Sequence, residues 1–444
     1  MIGSRPPRAV ALPPSLAEIR SRYEALEQAP VLFTLAPVQL RLLARRARVR
    51  RLPAGAILHR QGEPADCLHV VSSGRCELVL SASPEHSVSV GLAGPGDSVG
   101  EEAFVSGAAR PVTVRAVEDC ELISLDREAL TSTLAPGSRE EAELRRLAQQ
   151  RLQAPALLAG WSGRIGAGGP SRSLAIYAPK GGTGRTTVAV NLAAQLARAH
   201  PGEVVVVDLS LPFNDVALMA NLTPATALAQ LAEAPPSAFE ELLLTATAPH
   251  AAGFLVLPAV VRAEQAELVG PELVERAVEV LRQSFRFLVF DLPPQLSSVT
   301  LAVLEGVDQV LVLSTAELSS LKDFTEVRRI LHGVLKLPPS RVLLALNHRS
   351  PKSVIDRAAI ERALQQPLLC EFQFEGTRLD QAAVRGEILS LSDPRGAMAR
   401  STGQVASAFD VLPAQRPAQP PAAAVPAGPV VPQPVAQGDG HGVR

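Results

Sequence analysis

The residues of this chain that are best suited to chemistry form one glycine-rich stretch, Pro-Lys-Gly-Gly-Thr-Gly-Arg-Thr-Thr, at positions 179–187. Glycines at this spacing allow a tight turn in which successive backbone N–H groups point toward one place. An apolar run precedes the turn and a helical pattern follows it, so the positive end of a helix dipole acts on the same place. The stretch is therefore predicted to bind phosphate, and the hydroxyl of Thr186 is placed to ligate a Mg²⁺ ion that bridges nucleotide phosphates.

This stretch resembles the deviant Walker A motif, KGGxGK[ST]T, of the MinD/ParA class of P-loop ATPases. The resemblance covers residues 173–412 and implies that the chain binds ATP and Mg²⁺. It also implies that Lys180 reaches across a homodimer to the nucleotide of the second subunit. The motif assigns the ATP contacts of the loop to Gly181, Gly182, Thr183, Gly184, Arg185, Thr186 and Thr187.

Three strand ends extend this resemblance. Val204–Asp208 is similar to the second strand of the class, which implies that Asp208 lies near the γ-phosphate. Phe287–Asp291 resembles the Walker B strand, in which Asp291 holds the water shell of the Mg²⁺ ion. Asn347 ends another strand, where the class has an asparagine near the adenine. The ten residues that begin at Asp208 are most similar to the pilus-assembly branch of the class, the CpaE/TadZ-like proteins.

Two residues depart from the pattern of the class. Arg185 stands in place of the catalytic lysine, and its planar guanidinium keeps the charge but is bulkier than an ammonium group. Ser210 stands in place of an aspartate that helps to position the attacking water. Because phosphoryl transfer depends on positioned water and metal, this loss affects hydrolysis more than binding. We expect a nucleotide site with slow turnover, whose catalytic candidates are Lys180, Arg185, Asp208 and Asp291.

A second candidate phosphate site precedes the first along the chain. Gly100 and Glu101 are followed by Arg110, and this segment resembles the cyclic-nucleotide-binding jelly roll of CAP-type regulators and cyclic-nucleotide-dependent kinases. The resemblance implies that Glu101 contacts the ribose and that Arg110 holds the cyclic phosphate, a pairing that is often bidentate. Pro111 departs from the pattern, because it has no N–H to donate to the phosphate. Two interpretations stay open: a sensor of a cyclic mononucleotide, and a dimerisation or docking module without a ligand.

The elements that must position these residues follow from hydrophobic patterning. Short apolar runs alternate with amphipathic helical patterns after residue 173, which predicts a parallel α/β sheet buried on both faces. Residues 31–150 have shorter runs among turn residues, which predicts an all-β jelly roll with flanking helices. The chain thus divides into a Pro-rich and then helical segment (1–30), the cyclic-nucleotide-binding-like domain (31–150), a flexible linker (151–172), the ATPase-like domain (173–412) and a disordered Pro/Ala-rich tail (413–444).

Composition limits the partners and the location of the protein. The 444 residues contain 43 Lys and Arg against 44 Asp and Glu, so binding of nucleic acid through bulk positive charge is not expected. No helix-turn-helix follows the first domain, so the sequence does not predict specific DNA binding. The sequence lacks both a transmembrane run and a secretion signal. These features predict a cytoplasmic protein that partners could recruit to a pole or a membrane.

Three functions are compatible with these features. The preferred hypothesis is a MinD/CpaE-like ATPase that dimerises through its ATPase domain and positions or assembles a cellular machine such as a pilus, a septum or another cargo. Its partner is an unidentified cargo or assembly protein, and the N-terminal module regulates it. One alternative is a non-hydrolysing adaptor with degenerate nucleotide sites. The other is a cyclic-nucleotide-responsive transcriptional regulator.

Overall fold

The computed structural model describes residues 14–83, 86–101, 109–161, 165, 170–224, 226–351 and 355–411. The predictions made for the first thirteen residues and for the 413–444 tail lie outside these ranges. The described residues form a β domain followed by an α/β domain, and the predicted fold class is confirmed.

The N-terminal domain consists of two four-stranded sheets with four helices packed beside them. One sheet has the order β1-β8-β3-β6 and the other has the order β2-β7-β4-β5. The strands are β1 (Arg48–Leu52), β2 (Ile57–His59), β3 (Cys67–Ser73), β4 (Cys76–Ser83), β5 (His86–Ala93), β6 (Ser98–Val99), β7 (Thr113–Ala116) and β8 (Cys120–Asp126). The helices are α1 (Leu16–Glu27), α2 (Pro37–Arg46), α3 (Arg127–Thr133) and α4 (Arg139–Trp161).

Two boundaries of this domain differ from those predicted. Helix α1 begins at a capping box formed by Ser15 and Glu18, and its Leu26 is fully buried against the helices and strands that follow. The first segment is therefore part of the domain core rather than a separate unit. The segment predicted as a flexible linker is helical as far as Trp161, because glycines become frequent only from residue 160 onward.

The C-terminal domain is built on an eight-stranded sheet of order β11-β12-β10-β13-β9-β14-β15-β16. All its neighbouring strands are parallel except β11 and β12. The strands are β9 (Arg172–Tyr177), β10 (Val204–Asp208), β11 (Ala248–Pro249), β12 (Phe254–Pro258), β13 (Phe287–Asp291), β14 (Gln309–Thr315), β15 (Val342–Asn347) and β16 (Cys370–Phe372). The helices are α5 (Arg185–Ala199), α6 (Val216–Met219), α7 (Pro236–Thr245), α8 (Pro271–Ser284), α9 (Ser298–Gly306), α10 (Leu318–Arg329), α11 (Arg357–Leu364), α12 (Arg378–Val384), α13 (Leu389–Ser392) and α14 (Ala397–Val411).

The sheet separates two apolar layers, as expected for strands that are apolar on both faces. Every residue of β10, β12 and β13 is buried, with successive side chains entering opposite layers. Strand β9 lies between β13 and β14, so the loop that follows β9 opens at the centre of the carboxyl edge of the sheet. Crevices at this edge are where open α/β sheets bind ligands.

Candidate functional site

The glycine-rich loop joins the central strand β9 to the N-terminus of α5. Gly184 caps α5 with φ +92°, a left-handed conformation that favours glycine. Asn347, at the end of β15, donates from Nδ2 to the backbone oxygen of Thr183 at 2.8 Å. A Cβ atom at Gly184 would lie 2.5 Å from that same Nδ2. The structure thus places Asn347 against the loop backbone, where it fixes the shape of the turn.

Thr186 and Asp291 meet at the end of the loop. The hydroxyl of Thr186, in the first turn of α5, donates to Asp291 Oδ2 at 2.6 Å. The Asp291 carboxyl is fully buried at the end of β13, and burial raises its pKa above the usual range. Its second oxygen, Oδ1, is buried without a hydrogen-bond partner among the described residues. A hydroxyl and a carboxylate oxygen that lacks a partner are hard oxygen ligands of the kind that Mg²⁺ prefers.

Asp208 lies beside Asp291 in the register of neighbouring strands β10 and β13. Its two carboxylate oxygens accept hydrogen bonds from the backbone N–H groups of Ser210 and Val216, at 3.1 and 2.8 Å. Burial, followed by the nearby Asp291 charge, raises the pKa of Asp208. Asp208 therefore holds together the loop between β10 and α6, which forms one wall of the site.

An open cleft of about 360 Å³ lies between the glycine loop and this wall. Ser210 lines the cleft, and so does Asp215, the residue immediately before α6. Asp215 is near enough to Asp291 that its charge contributes to raising the pKa of Asp291. The sequence analysis does not select Asp215, although the Asn-Asp pair at 214–215 lies among the ten residues that begin at Asp208. The lining residues are Gly182, Thr183, Gly184, Arg185, Thr186, Thr187, Ser210, Asp215, Leu218 and Met219.

Both cationic side chains of the motif contact oxygens of their own chain. Arg185 donates to the backbone oxygens of Ala178 and Lys180, at 2.8 and 3.4 Å. Lys180 forms an ion pair with Asp323 of α10, with Nζ 3.1 Å from Oδ2. The Lys180 and Asp323 side chains are about one-third exposed, so this pair can open at low cost.

In the N-terminal domain, the predicted ligand-binding arginine is also engaged by its own domain. Arg110 is buried and donates to the backbone oxygens of Gly100 and Cys67, at 3.3 and 2.9 Å. It also pairs with Asp66 Oδ1 at 3.1 Å. Glu101 is buried as well. A phosphate would therefore compete with these oxygens for the Arg110 guanidinium.

Two buried histidines belong to the same domain. Burial lowers the pKa of His59 and of His69 to about 3, and the positive charge of Arg110 adds to the effect. His69 is hydrogen-bonded through Nδ1 to Ser124 at 2.8 Å. Both rings are consequently neutral at pH 7.

The two domains contact each other close to the wall of the cleft. Arg146 of α4 donates to the side-chain and backbone oxygens of Asn221, just after α6. Asn221 in turn donates from its backbone N–H to the oxygen of Leu218, which lines the cleft. A second contact joins Gln230 Nε2 to Asp97 Oδ2 at 2.9 Å. Residues 208–221 thus line this cleft through Ser210, Asp215, Leu218 and Met219, and they contact the N-terminal domain through Asn221.

Models of known protein families match the two domains separately. A cyclic nucleotide-binding domain model matches residues 49–136, and an AAA domain model matches residues 171–337. An uncharacterized NTE family protein of Mycobacterium tuberculosis is 35% identical over 130 residues, which make up 29% of this chain and 22% of that protein. The chain thus spans about a fifth of the length of this relative.

The C-terminal domain has relatives of its own. An uncharacterized ATP-binding protein of Methanocaldococcus jannaschii is 27% identical over 241 residues, which make up 53% of this chain and 86% of that protein. A ParA family ATPase from Chlorobium tepidum, known from its crystal structure, is 22% identical, with 53% of this chain and 99% of that chain covered at a TM-score of 0.48. The chain combines a β domain that matches the cyclic nucleotide-binding domain model with an α/β domain that matches the AAA domain model.

Proposed function

We propose that the P-loop domain binds ATP with Mg²⁺ and acts as a nucleotide-dependent dimeric switch. The observation that carries this proposal is the Asp291 carboxylate, one oxygen of which accepts the Thr186 hydroxyl while the other lacks a partner. A buried carboxylate oxygen without a hydrogen bond is costly, and a Mg²⁺ ion or a water of its shell would satisfy it. The glycine turn and the N-terminus of α5 supply the phosphate site beside it.

Each residue of the site has a distinct role in this proposal. Thr186 ligates Mg²⁺ directly, and Asp291 holds it through water. The ion supplies positive charge that neutralises the phosphate oxygens. Arg185 turns from its present carbonyl partners to the phosphates of its own subunit, whereas Lys180 leaves Asp323 and reaches the nucleotide of the second subunit. The present partners of both cations are weak or neutral, which permits the exchange.

Slow ATP hydrolysis is part of the proposal. The attacking water needs an acceptor, and Ser210 offers a hydroxyl where the class has a carboxylate. Asp215 is a carboxylate that lines the same cleft, and it can orient a water molecule there. Asp215 is exposed to solvent, so its carboxylate is less pre-organised for this role than a buried carboxylate would be. The alternative of a non-hydrolysing adaptor predicts ATP binding with no turnover at all.

We also propose that the N-terminal domain regulates the switch. The Arg146–Asn221 contact supports this, because it holds the segment that ends at the cleft wall. A movement of α4 would therefore act on Ser210 and Asp215. Because Arg110 is occupied by oxygens of its own domain, we propose weak binding of cyclic mononucleotides, with protein docking as the alternative input.

The cellular role proposed here is the positioning or assembly of a larger machine in the cytoplasm. The similarity of residues 208–217 to the pilus-assembly branch supports a CpaE-like role in pilus assembly. A cargo or assembly protein would recruit the dimer to its site of action. Among the described residues, no helix has both the length and the hydropathy needed to cross a bilayer.

One experiment separates ATP binding, dimerisation and hydrolysis on the full chain. Calorimetry with ATP is run with Mg²⁺ and with EDTA, light scattering gives the mass, and phosphate release gives turnover. We expect Thr186→Ala to lose the Mg²⁺-dependent part of the ATP affinity, about tenfold or more, because a metal ligand is removed. Thr131→Ala, which removes a hydroxyl from α3 of the other domain, serves as the matched control. Equally negligible ATP binding by the wild type and by Thr186→Ala would refute the proposal.

A further inference from the structure

Helix α2 and strand β1 carry a concentration of positive charge that the proposed function does not use. Residues 28–62 contain seven arginines and neither Asp nor Glu, whereas the whole chain has a net charge of −1. Six of these arginines fall within residues 41–51. Such clustering gives one part of the surface a strong positive potential even though the protein as a whole is nearly neutral.

Helix α2 exposes apolar and basic side chains together. Its buried side consists of Leu40, Leu43 and Ala44. The opposite side presents Val38, Arg41, Leu42 and Arg45, which have the i, i+3, i+4, i+7 spacing of one helix face. Val38 is 63% exposed and Leu42 is 44% exposed. Phe33, just before the helix, is 61% exposed, so apolar side chains lie within the basic region rather than away from it.

A cleft of about 760 Å³ adjoins this helix face. Arg45 lines it together with Arg22, Arg48 and Arg51. Two carboxylates line it as well, but both are engaged: Glu121 pairs with Arg51 at 2.9 Å, and Glu18 caps helix α1. Arg45 has no hydrogen-bond or ion-pair partner in the part of the chain that the structure describes. The cleft therefore retains positive charge that could bind an anionic group.

We propose that this face docks on a membrane that contains anionic phospholipids. The face is called the basic surface and consists of Phe33, Val38, Arg41, Leu42, Arg45 and Arg48. Arginines attract the negative surface of such a membrane, and exposed apolar side chains enter the boundary between headgroups and acyl chains. Arg45 would hold a lipid phosphate in the cleft, and Arg48 would join it by leaving its exposed 3.8 Å ion pair with Asp126. Charge complementarity and interspersed apolar residues together favour this occupant.

Nucleic acid fits the same surface less well. Protein surfaces that bind nucleic acid combine arginines with polar side chains that donate to phosphate and sugar. The members of the basic surface other than its arginines are Phe33, Val38 and Leu42, whose apolar side chains cannot donate to the phosphodiester backbone. Binding to nucleic acid is consequently an outcome that the experiment must test and that would contradict the proposal.

The test is flotation of the full chain with vesicles of phosphatidylcholine alone and of phosphatidylcholine with 30% phosphatidylglycerol. We expect binding to the anionic vesicles only, decreasing as salt is added. A basic residue near an anionic membrane increases partitioning onto it roughly fivefold. The double variant Arg45→Gln with Arg48→Gln should therefore bind the anionic vesicles about 25-fold more weakly. Val38→Ser with Leu42→Ser should lose about tenfold, because apolar burial is removed.

The matched control neutralises two exposed arginines of the other domain, Arg349→Gln with Arg385→Gln, and should leave vesicle binding unchanged. Circular dichroism of every variant checks that the fold is retained. Equal binding to both kinds of vesicle, or an equal loss in the control, would overturn the proposal. Unchanged vesicle binding by the Val38/Leu42 variant would overturn it too. So would binding of a 20-base-pair DNA duplex as tight as binding of the anionic vesicles, which would indicate a general polyanion site.

Discussion

Replacing Gly184 by alanine tests whether the shape of the glycine loop depends on the side chain of Asn347. An L-residue in the left-handed region costs about 1–2 kcal/mol. The new methyl group would lie 2.5 Å from Asn347 Nδ2, so Asn347 must move and lose its 2.8 Å hydrogen bond to Thr183. That bond is worth about 0.5–1.5 kcal/mol. The sum predicts a loss of about 1.5–3.5 kcal/mol in the free energy of unfolding of the P-loop domain.

The other glycines of the loop provide graded controls. Gly182 has φ +70° but open space around its Cα. Gly182→Ala should therefore lower the free energy of unfolding only by the cost of the left-handed conformation, about 1–2 kcal/mol. Gly181 has neither a positive φ nor a close neighbour, so Gly181→Ala should be neutral or stabilise by up to about 1 kcal/mol. The order of stability should be Gly181→Ala, then Gly182→Ala, then Gly184→Ala.

Urea unfolding of the full chain, followed by far-UV circular dichroism, measures this series. Asn347→Ala by itself loses the hydrogen bond, and adding it to Gly184→Ala also removes the steric conflict. The double variant should therefore lose less than the sum of the two single losses. Equal stability of the Gly181 and Gly184 variants, or strict additivity with Asn347→Ala, would refute the reasoning.

Three further predictions concern turnover, dimerisation and acid stability. Ser210→Asp should raise the ATP turnover number more than the affinity, measured by phosphate release and calorimetry; an unchanged rate would show that Ser210 is not limiting. Asp323→Asn should favour the ATP-dependent dimer by up to about fivefold in light scattering by releasing Lys180, whereas Lys180→Ala should stay monomeric with ATP; a wild type equally dimeric without ATP would contradict both. Because the pKa values of His59 and His69 are lowered in the folded protein, the unfolded state binds more protons than the folded state between pH 6.5 and about 3. The free energy of unfolding therefore decreases as pH falls through this window. Each ring should account for about 2 kcal/mol of this loss by pH 5, and thermal unfolding midpoints of the N-terminal domain that are equal at pH 7 and pH 5 would contradict it.

Much of the central sheet was predictable from the sequence because its strands are buried on both faces. Val204–Asp208 and Phe287–Asp291 begin and end at the predicted residues, and β15 ends at Asn347 as predicted. Continuous apolar runs flanked by turn residues leave little choice of boundary. Strand β12, Phe254–Pro258, has the same apolar character and follows Gly253, but the sequence analysis does not predict it. Strand β16, with three residues, is too short to give a pattern.

The order of the strands was not predictable, and the site depends on it. Pairing of β10 with β13 places Asp208 beside Asp291, although 83 residues separate them along the chain. Pairing of β14 with β15 brings Asn347 to the loop that follows β9. Local patterning specifies which segments are strands but contains no information about which segments are neighbours, because pairing is decided by packing across the whole domain.

The sequence by itself determined the two kinds of domain, the phosphate loop and the residue types that could contact a nucleotide, because these depend on local spacing and on backbone conformation. Only the tertiary structure decided the present partner of each of those side chains. In the tertiary structure Asp215 lines the cleft, Lys180 forms an ion pair with Asp323, and Arg110 donates hydrogen bonds to oxygens of its own domain. A charged side chain takes the partner that the fold brings within reach, and residues distant in sequence supply that partner.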